Sequence, residues 1–149
     1  MLRADDYLYS IIHMVISMVK LTQEVKDSMQ GVKTIFLATC SRAGVPNVVP
    51  MGAYKVLDDE TMLLSDQFMQ KSLSNMKENP RVAISYWSEK GGFQIKGTVT
   101  LHTDDQVFKD DVTWVKGMKP TLNPKTAIVM KITDVYVVKP GPEAGKKLL

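Results

Sequence analysis

From Phe93 to His102 apolar and polar side chains alternate, with Ile95, Gly97, Val99 and Leu101 on one side and Gln94, Lys96, Thr98 and Thr100 on the other. A period of two over this length predicts a strand with one buried face, and Gly97 inside it predicts a sharp bend or the close approach of another backbone. Thr34 to Cys40 is an apolar, partly β-branched run closed by the turn residues Ser41 to Gly44, so a hairpin is the simplest reading. Its second arm, Pro46 to Val56, carries Pro50 and Gly52 and is expected to bend, bulge or lie at a sheet edge. Further strands are predicted at Thr61–Ser65, Arg81–Trp87 and Thr126–Val138, with a turn over Ser88 to Gly92.

Helices fill the gaps. Thr22 can cap a helix to Met29 with Gly31 just beyond it. Lys71 to Glu78 forms a second, stopped by Asn79-Pro80 because a residue before proline disfavours the α region. Thr103 or Asp104 can cap a third through Val115, closed by Gly117, with an apolar face broken by Asp111. About six strands grouped as antiparallel hairpins predict a small bent barrel with helical plugs, not a βαβ alternation. Pro140-Gly141-Pro142 is expected to end order before a basic tail. The division predicted is an N-terminal extension over 1–21, one domain over 22–140 and a tail over 141–149.

The first residues add a separate element. Leu8, Ile11, Ile12, Val15, Ile16 and Val19 follow helical spacing, but the run is too short to span a bilayer and lacks the basic start and cleavage site of a signal peptide. At 149 residues the chain suits one domain. Its single cysteine, Cys40, has no partner for an intrachain disulfide, and two histidines offer no zinc-ligand cluster. A cytoplasmic location without membrane contact is therefore expected. The net charge of +3 is spread without a basic block, which argues against nucleic-acid binding.

The common catalytic patterns are missing: there is no nucleophile elbow, Walker loop or dinucleotide fingerprint. Asp58 and Asp59 are adjacent carboxylates in a turn, where aspartate is ordinarily a solvated turn residue. Residues 64–75 are more informative, because a strand passes through a polar loop into the first turn of a helix. Free N–H groups and the positive dipole end at such a start receive anions. Lys71 could add a charge and Ser72 a hydroxyl donor. The same residues also allow a plainer reading, in which Ser65 or Asp66 caps the helix and Lys71 is solvated, and capping is the commoner use.

The order of these segments resembles the pyridoxamine 5′-phosphate oxidase-like split barrels that bind FMN. The likeness runs from about Gln23 to Val138 and is most specific in Lys71-Ser72 placed before Asn79-Pro80-Arg81-Val82. It implies a six-stranded antiparallel split β-barrel, mainly β with short helices, working as a homodimer. Lys71 and Ser72 would hold the phosphate, Val49, Pro50 and Met51 would run along the isoalloxazine ring, and Ser65, Asp66 and Gln67 would lie beside the ribityl chain and ring. No side chain need be catalytic, since the flavin carries the redox chemistry with a small-molecule or protein partner. The arginine- and histidine-bearing C-terminal segment of the family's namesake does not follow Val138, so pyridoxamine phosphate oxidation itself is not implied. An F420-dependent reductase and a cofactor-free dimeric binding protein are the alternatives on this fold.

Overall fold

In the computed structural model, which describes residues 19–149, ten elements form one curled sheet with three helices packed on it. They run α1 (Gln23–Met29), β1 (Ile35–Cys40), β2 (Pro46–Met51), β3 (Tyr54–Val56), β4 (Thr61–Asp66), α2 (Lys71–Glu78), β5 (Arg81–Ser88), β6 (Gly91–His102), α3 (Gln106–Met118) and β7 (Thr126–Val137). The predicted N-terminal helix at Leu8 to Val19 lies almost wholly outside the described residues. No helix among those described is long and apolar enough to cross a membrane.

The strand order is β2-β1-β5-β6-β7-β4-β3 and every pairing is antiparallel. The count is seven rather than six because the arm predicted over Pro46 to Val56 is two strands. Its halves occupy opposite edges of the sheet, although only Gly52 and Ala53 separate them. Seven flat strands at about 4.8 Å spacing would place those edges about 29 Å apart, and two linking residues reach only about a third of that. The sheet must therefore curl until its edges meet, which makes the half-barrel. The prolines at 46 and 50 sit on the edge strand β2, where a missing donor is tolerated.

Inside the curl lie Ile35, Leu37, Met62, Leu64, Ile84, Ile95, Ile128, Met130 and Ile132, all fully buried. The alternation over β6 holds, with a register shift against β7 at Lys96/Gly97. The turn into β6 is shorter than expected, only Glu89 and Lys90, since Gly91 and Gly92 already pair with Ser88 and Trp87. Helix α3 starts one residue later than predicted: Asp105, not Thr103 or Asp104, accepts from the Phe108 N–H. It also continues through Gly117 to Met118, because a glycine inside a helix weakens it without ending it.

The tail departs most from expectation. Past Pro140 the chain turns back, Leu148 N–H donates to the Val135 carbonyl, Val137 N–H donates to that of Lys146, and Lys147 pairs with Asp134 at 2.8 Å. Strand β4 covers β7 only as far as Lys131, and the Glu60 carbonyl just before it accepts from the Ile132 N–H, so residues 133–137 would otherwise leave a bare edge. The returning tail supplies the missing partner, which proline and glycine signals alone could not reveal.

Helix α1 is fastened by a polar contact inside the core. Tyr86 on β5 is buried, its hydroxyl 2.8 Å from Ser28 Oγ and donating to the Val25 carbonyl at 3.2 Å. Burial pushes the phenol well above its ordinary value, with the Ser28 contact opposing. The folded state thus keeps a proton that the unfolded chain gives up above about pH 10, so this contribution is intact below that pH and is lost as pH rises. Tyr86→Phe should lower stability by about 1 kcal/mol at neutral pH. Urea titrations at pH 7 and near pH 11 should show a flatter alkaline decline in the variant, and equal slopes would refute this.

Candidate functional site

The loop between β4 and α2 is locked by residues on both of its sides. Asp66 Oδ1 accepts from the Met69 N–H at 2.8 Å, and Lys125 Nζ donates to the Met69 carbonyl at 3.1 Å. These bonds hold the loop but leave the start of α2 uncapped: Gln70 is its N-cap and provides no side-chain acceptor. The first N–H groups of α2 are therefore free and carry the positive end of the helix dipole. The capping reading for Ser65 or Asp66 does not hold here, because both side chains bond elsewhere.

Ser72 lies in the first turn and is buried, while Lys71 is exposed and forms no ion pair among the described residues. Asn47 Nδ2 donates to Ser72 Oγ at 3.0 Å and to Thr39 Oγ1 at 3.2 Å, and Asn75 Nδ2 donates to that same Thr39 oxygen at 3.0 Å. Ser72 is thus an acceptor toward the protein, and its own proton has no acceptor among the described residues. A hydroxyl held in this way is ready to donate outward. Asn47, which backs Ser72 here, is a residue that the sequence reading passed over as part of a strand.

In front of this helix start opens a cavity of about 550 Å³. Val49, Pro50, Met51, Ser65, Gln67, Lys71 and Ser72 all line it. Asp66 does not. Asp66 is fully buried, its Oδ1 turned back to the Met69 N–H and its Oδ2 3.9 Å from Lys125 Nζ. Gly52, Ala53, Met69, Met118 and Leu122 complete an apolar wall. Met118 and Leu122 come from the far end of α3 and the loop after it, and nothing local in the sequence ties them to β2.

One polar chain enters this wall from behind. Asp111 on α3 is fully buried, and its Oδ2 accepts from Ser65 Oγ at 2.7 Å. Ser65 Oγ in turn accepts from Gln67 Nε2 at 2.8 Å. Burial raises the Asp111 carboxyl above the ordinary carboxylate range, opposed by the Ser65 bond and by the charge of Lys55. Asp111 is the break in the apolar face of α3 visible in the sequence. Among the described residues no group of three or more His, Cys, Asp or Glu is placed to hold a metal ion.

The arrangement joins an anion-receiving helix start to an apolar slot with polar groups along one side. That combination accepts a flat, largely apolar group bearing a phosphate. An uncharacterized protein of Methanocaldococcus jannaschii is 44% identical over 133 residues, covering 87% of this chain and 89% of its own. Among solved structures, an FMN-binding protein from Syntrophomonas wolfei superposes with a TM-score of 0.69 at 12% identity, covering 91% of this chain and 97% of that one. The haem storage protein HutZ from Vibrio cholerae superposes with a TM-score of 0.60 at 18% identity, covering 79% and 94%. At these identities the two structures share the fold. Residues 21–139 match the pyridoxamine 5′-phosphate oxidase family, a span that contains every element described above, and the chain belongs to that family.

Proposed function

We propose that this protein is an FMN-binding flavoprotein, with the phosphate at the start of α2 and the ring system in the apolar slot, carrying out redox or electron-transfer chemistry. The observation that carries the reading is the Ser72 hydroxyl, filled from behind by Asn47 and with its proton free, beside the uncapped N–H groups of α2 and the charge of Lys71. Three kinds of donor share the first turn of α2 beside the cavity, which suits a phosphate dianion. The bound flavin would supply the electron chemistry; the chain's own residues bind, orient and shield it. The FMN-binding relative by fold adds support.

Pairing with a second copy belongs to the same proposal. Strands β1, β2 and β5 turn Phe36, Val48 and Trp87 to solvent, at 52%, 63% and 63% exposure, and Pro50 next to Phe36 also lines the cavity. An apolar sheet face continuous with a ligand cavity is suited to burial against an identical face.

The test is direct. Protein purified after growth with riboflavin available should show flavin absorbance near 450 nm, and added FMN at about 100 times Kd should stabilise it by about 2.7 kcal/mol in thermal unfolding. A Soret band instead would indicate haem, and an F420 spectrum the deazaflavin. A colourless protein whose melting FMN leaves unmoved would refute the proposal.

A further inference from the structure

Asp111 is a residue that the fold alone does not account for. It sits fully buried on the inner side of α3, and its Oδ1 has no hydrogen-bond partner among the described residues. Burying a carboxylate this way opposes folding unless its partners compensate. Two features do so in part, one hydrogen bond from Ser65 and the charge of Lys55, while the like charge of Asp66 acts against them. That bond leads to the cavity wall and nowhere else, since Ser65 and Gln67 both line the cavity.

The direction of the chain follows from donor counting. Ser65 donates to the Asp111 carboxyl, and a serine hydroxyl has one proton. With that proton given to Asp111, Ser65 can only accept from Gln67. The amide of Gln67 must then turn an N–H inward, which is the arrangement found, at 2.8 Å. Its carbonyl oxygen, Oε1, makes no hydrogen bond among the described residues and is the acceptor end left for the cavity.

We propose that Asp111 is a positioning residue: through Ser65 it fixes which end of the Gln67 amide faces the cavity, making this wall an acceptor selective for a ligand edge that donates N–H. Neutral amides can otherwise flip at little cost, because their two ends have nearly the same shape. Serine alone would not choose between them, since a free hydroxyl can donate or accept equally well. The carboxylate breaks that symmetry, and its burial in the helix keeps solvent from restoring it. The choice of N3–H of the flavin ring as the donor edge rests on the FMN reading; the orientation of Gln67 does not.

The two parts are tested separately. In the ligand-free full chain, the side-chain amide signals of Gln67 are assigned in ¹⁵N–¹H spectra by their loss in Gln67→Leu. One of the two protons should be shifted downfield and slow to exchange, and this asymmetry should collapse in Asp111→Asn, whose amide can donate to Ser65 and release the direction of the chain. Ser65→Ala is the second variant, in case Asp111→Asn does not fold, and should produce the same collapse. An unchanged Gln67 signature in either folded variant overturns the proposal. With ¹⁵N-labelled FMN added, the N3 resonance of the wild-type complex should lie downfield of free FMN and move back toward it, by at least half, in Asp111→Asn. A wild type that fails to bind FMN removes the flavin reading and leaves the Gln67 result standing. FMN that binds with an N3 shift indifferent to Asp111 overturns the assignment of that edge.

Discussion

Replacing Gly97 with alanine is expected to lower stability by about 3 kcal/mol, a fall in Tm of about 10 °C for a domain of this size. The cause is contact, not conformational freedom. A Cβ at position 97 would lie 2.3 Å from the Lys131 carbonyl oxygen on β7 and 2.9 Å from the Met130 side chain. Methionine can swing away, but the carbonyl belongs to the neighbouring strand of the sheet, at the point where the β6–β7 register shifts. Relief requires the two longest strands to part in the middle of the core. Gly117 is the control: a Cβ there meets nothing within 4 Å, and it lies inside α3, so Gly117→Ala should stabilise by up to about 1 kcal/mol. Chemical denaturation of the two variants decides the matter. A Gly97→Ala protein within about 0.5 kcal/mol of wild type would show that the strands separate more easily than this packing implies.

Removing both proposed phosphate donors should have the larger functional effect. Lys71→Ala with Ser72→Ala deletes a point charge and a pre-set hydroxyl, each a hydrogen bond to a charged group and each contributing about 1.5–3 kcal/mol. FMN affinity should fall about 100-fold or more, measured by fluorescence quenching. Riboflavin has the same ring without the phosphate, and its affinity should stay within about threefold of wild type. The contrast between the two ligands separates loss of the anion site from general damage, since Asn47 keeps Thr39 as a partner when Ser72 is shortened. Equal losses for both ligands, or none for FMN, would place the phosphate elsewhere while leaving the fold untouched.

The variants also mark where sequence reasoning reached and where it stopped. Gly97 stood out because a glycine interrupts a ten-residue alternation, and its meaning was local: another backbone had to come close. The Lys71-Ser72 start of α2 was equally legible, because strand, polar loop and helix follow within a dozen residues. Asn47 was not, and Asp111 was visible only as a break in an apolar helix face. Both are polar residues inside runs of other character, and each acquires its role from a partner at a distance, Ser72 for the one and Ser65 for the other. Asp66 shows the converse: proximity in sequence grouped it with Ser65 and Gln67, whereas its carboxylate is buried and turned back to the Met69 N–H and Lys125.

Hydrophobic period and turn chemistry by themselves determined the strands of the core, the helix over 71–78 and the antiparallel character of the sheet, because these are set by neighbours a few residues apart. The tertiary structure decided the rest. The curl that splits Pro46 to Val56 between two edges comes from the closure of the whole sheet. The tail that returns to cover β7 answers an edge created by strands far from it in sequence. The cavity wall shared by β2, the β4–α2 loop and the end of α3, and the buried carboxylate that accepts from Ser65 behind it, likewise exist only once distant segments meet. Side-chain burial and hydrogen-bond direction depend on every group within reach, and no local window of sequence contains them all.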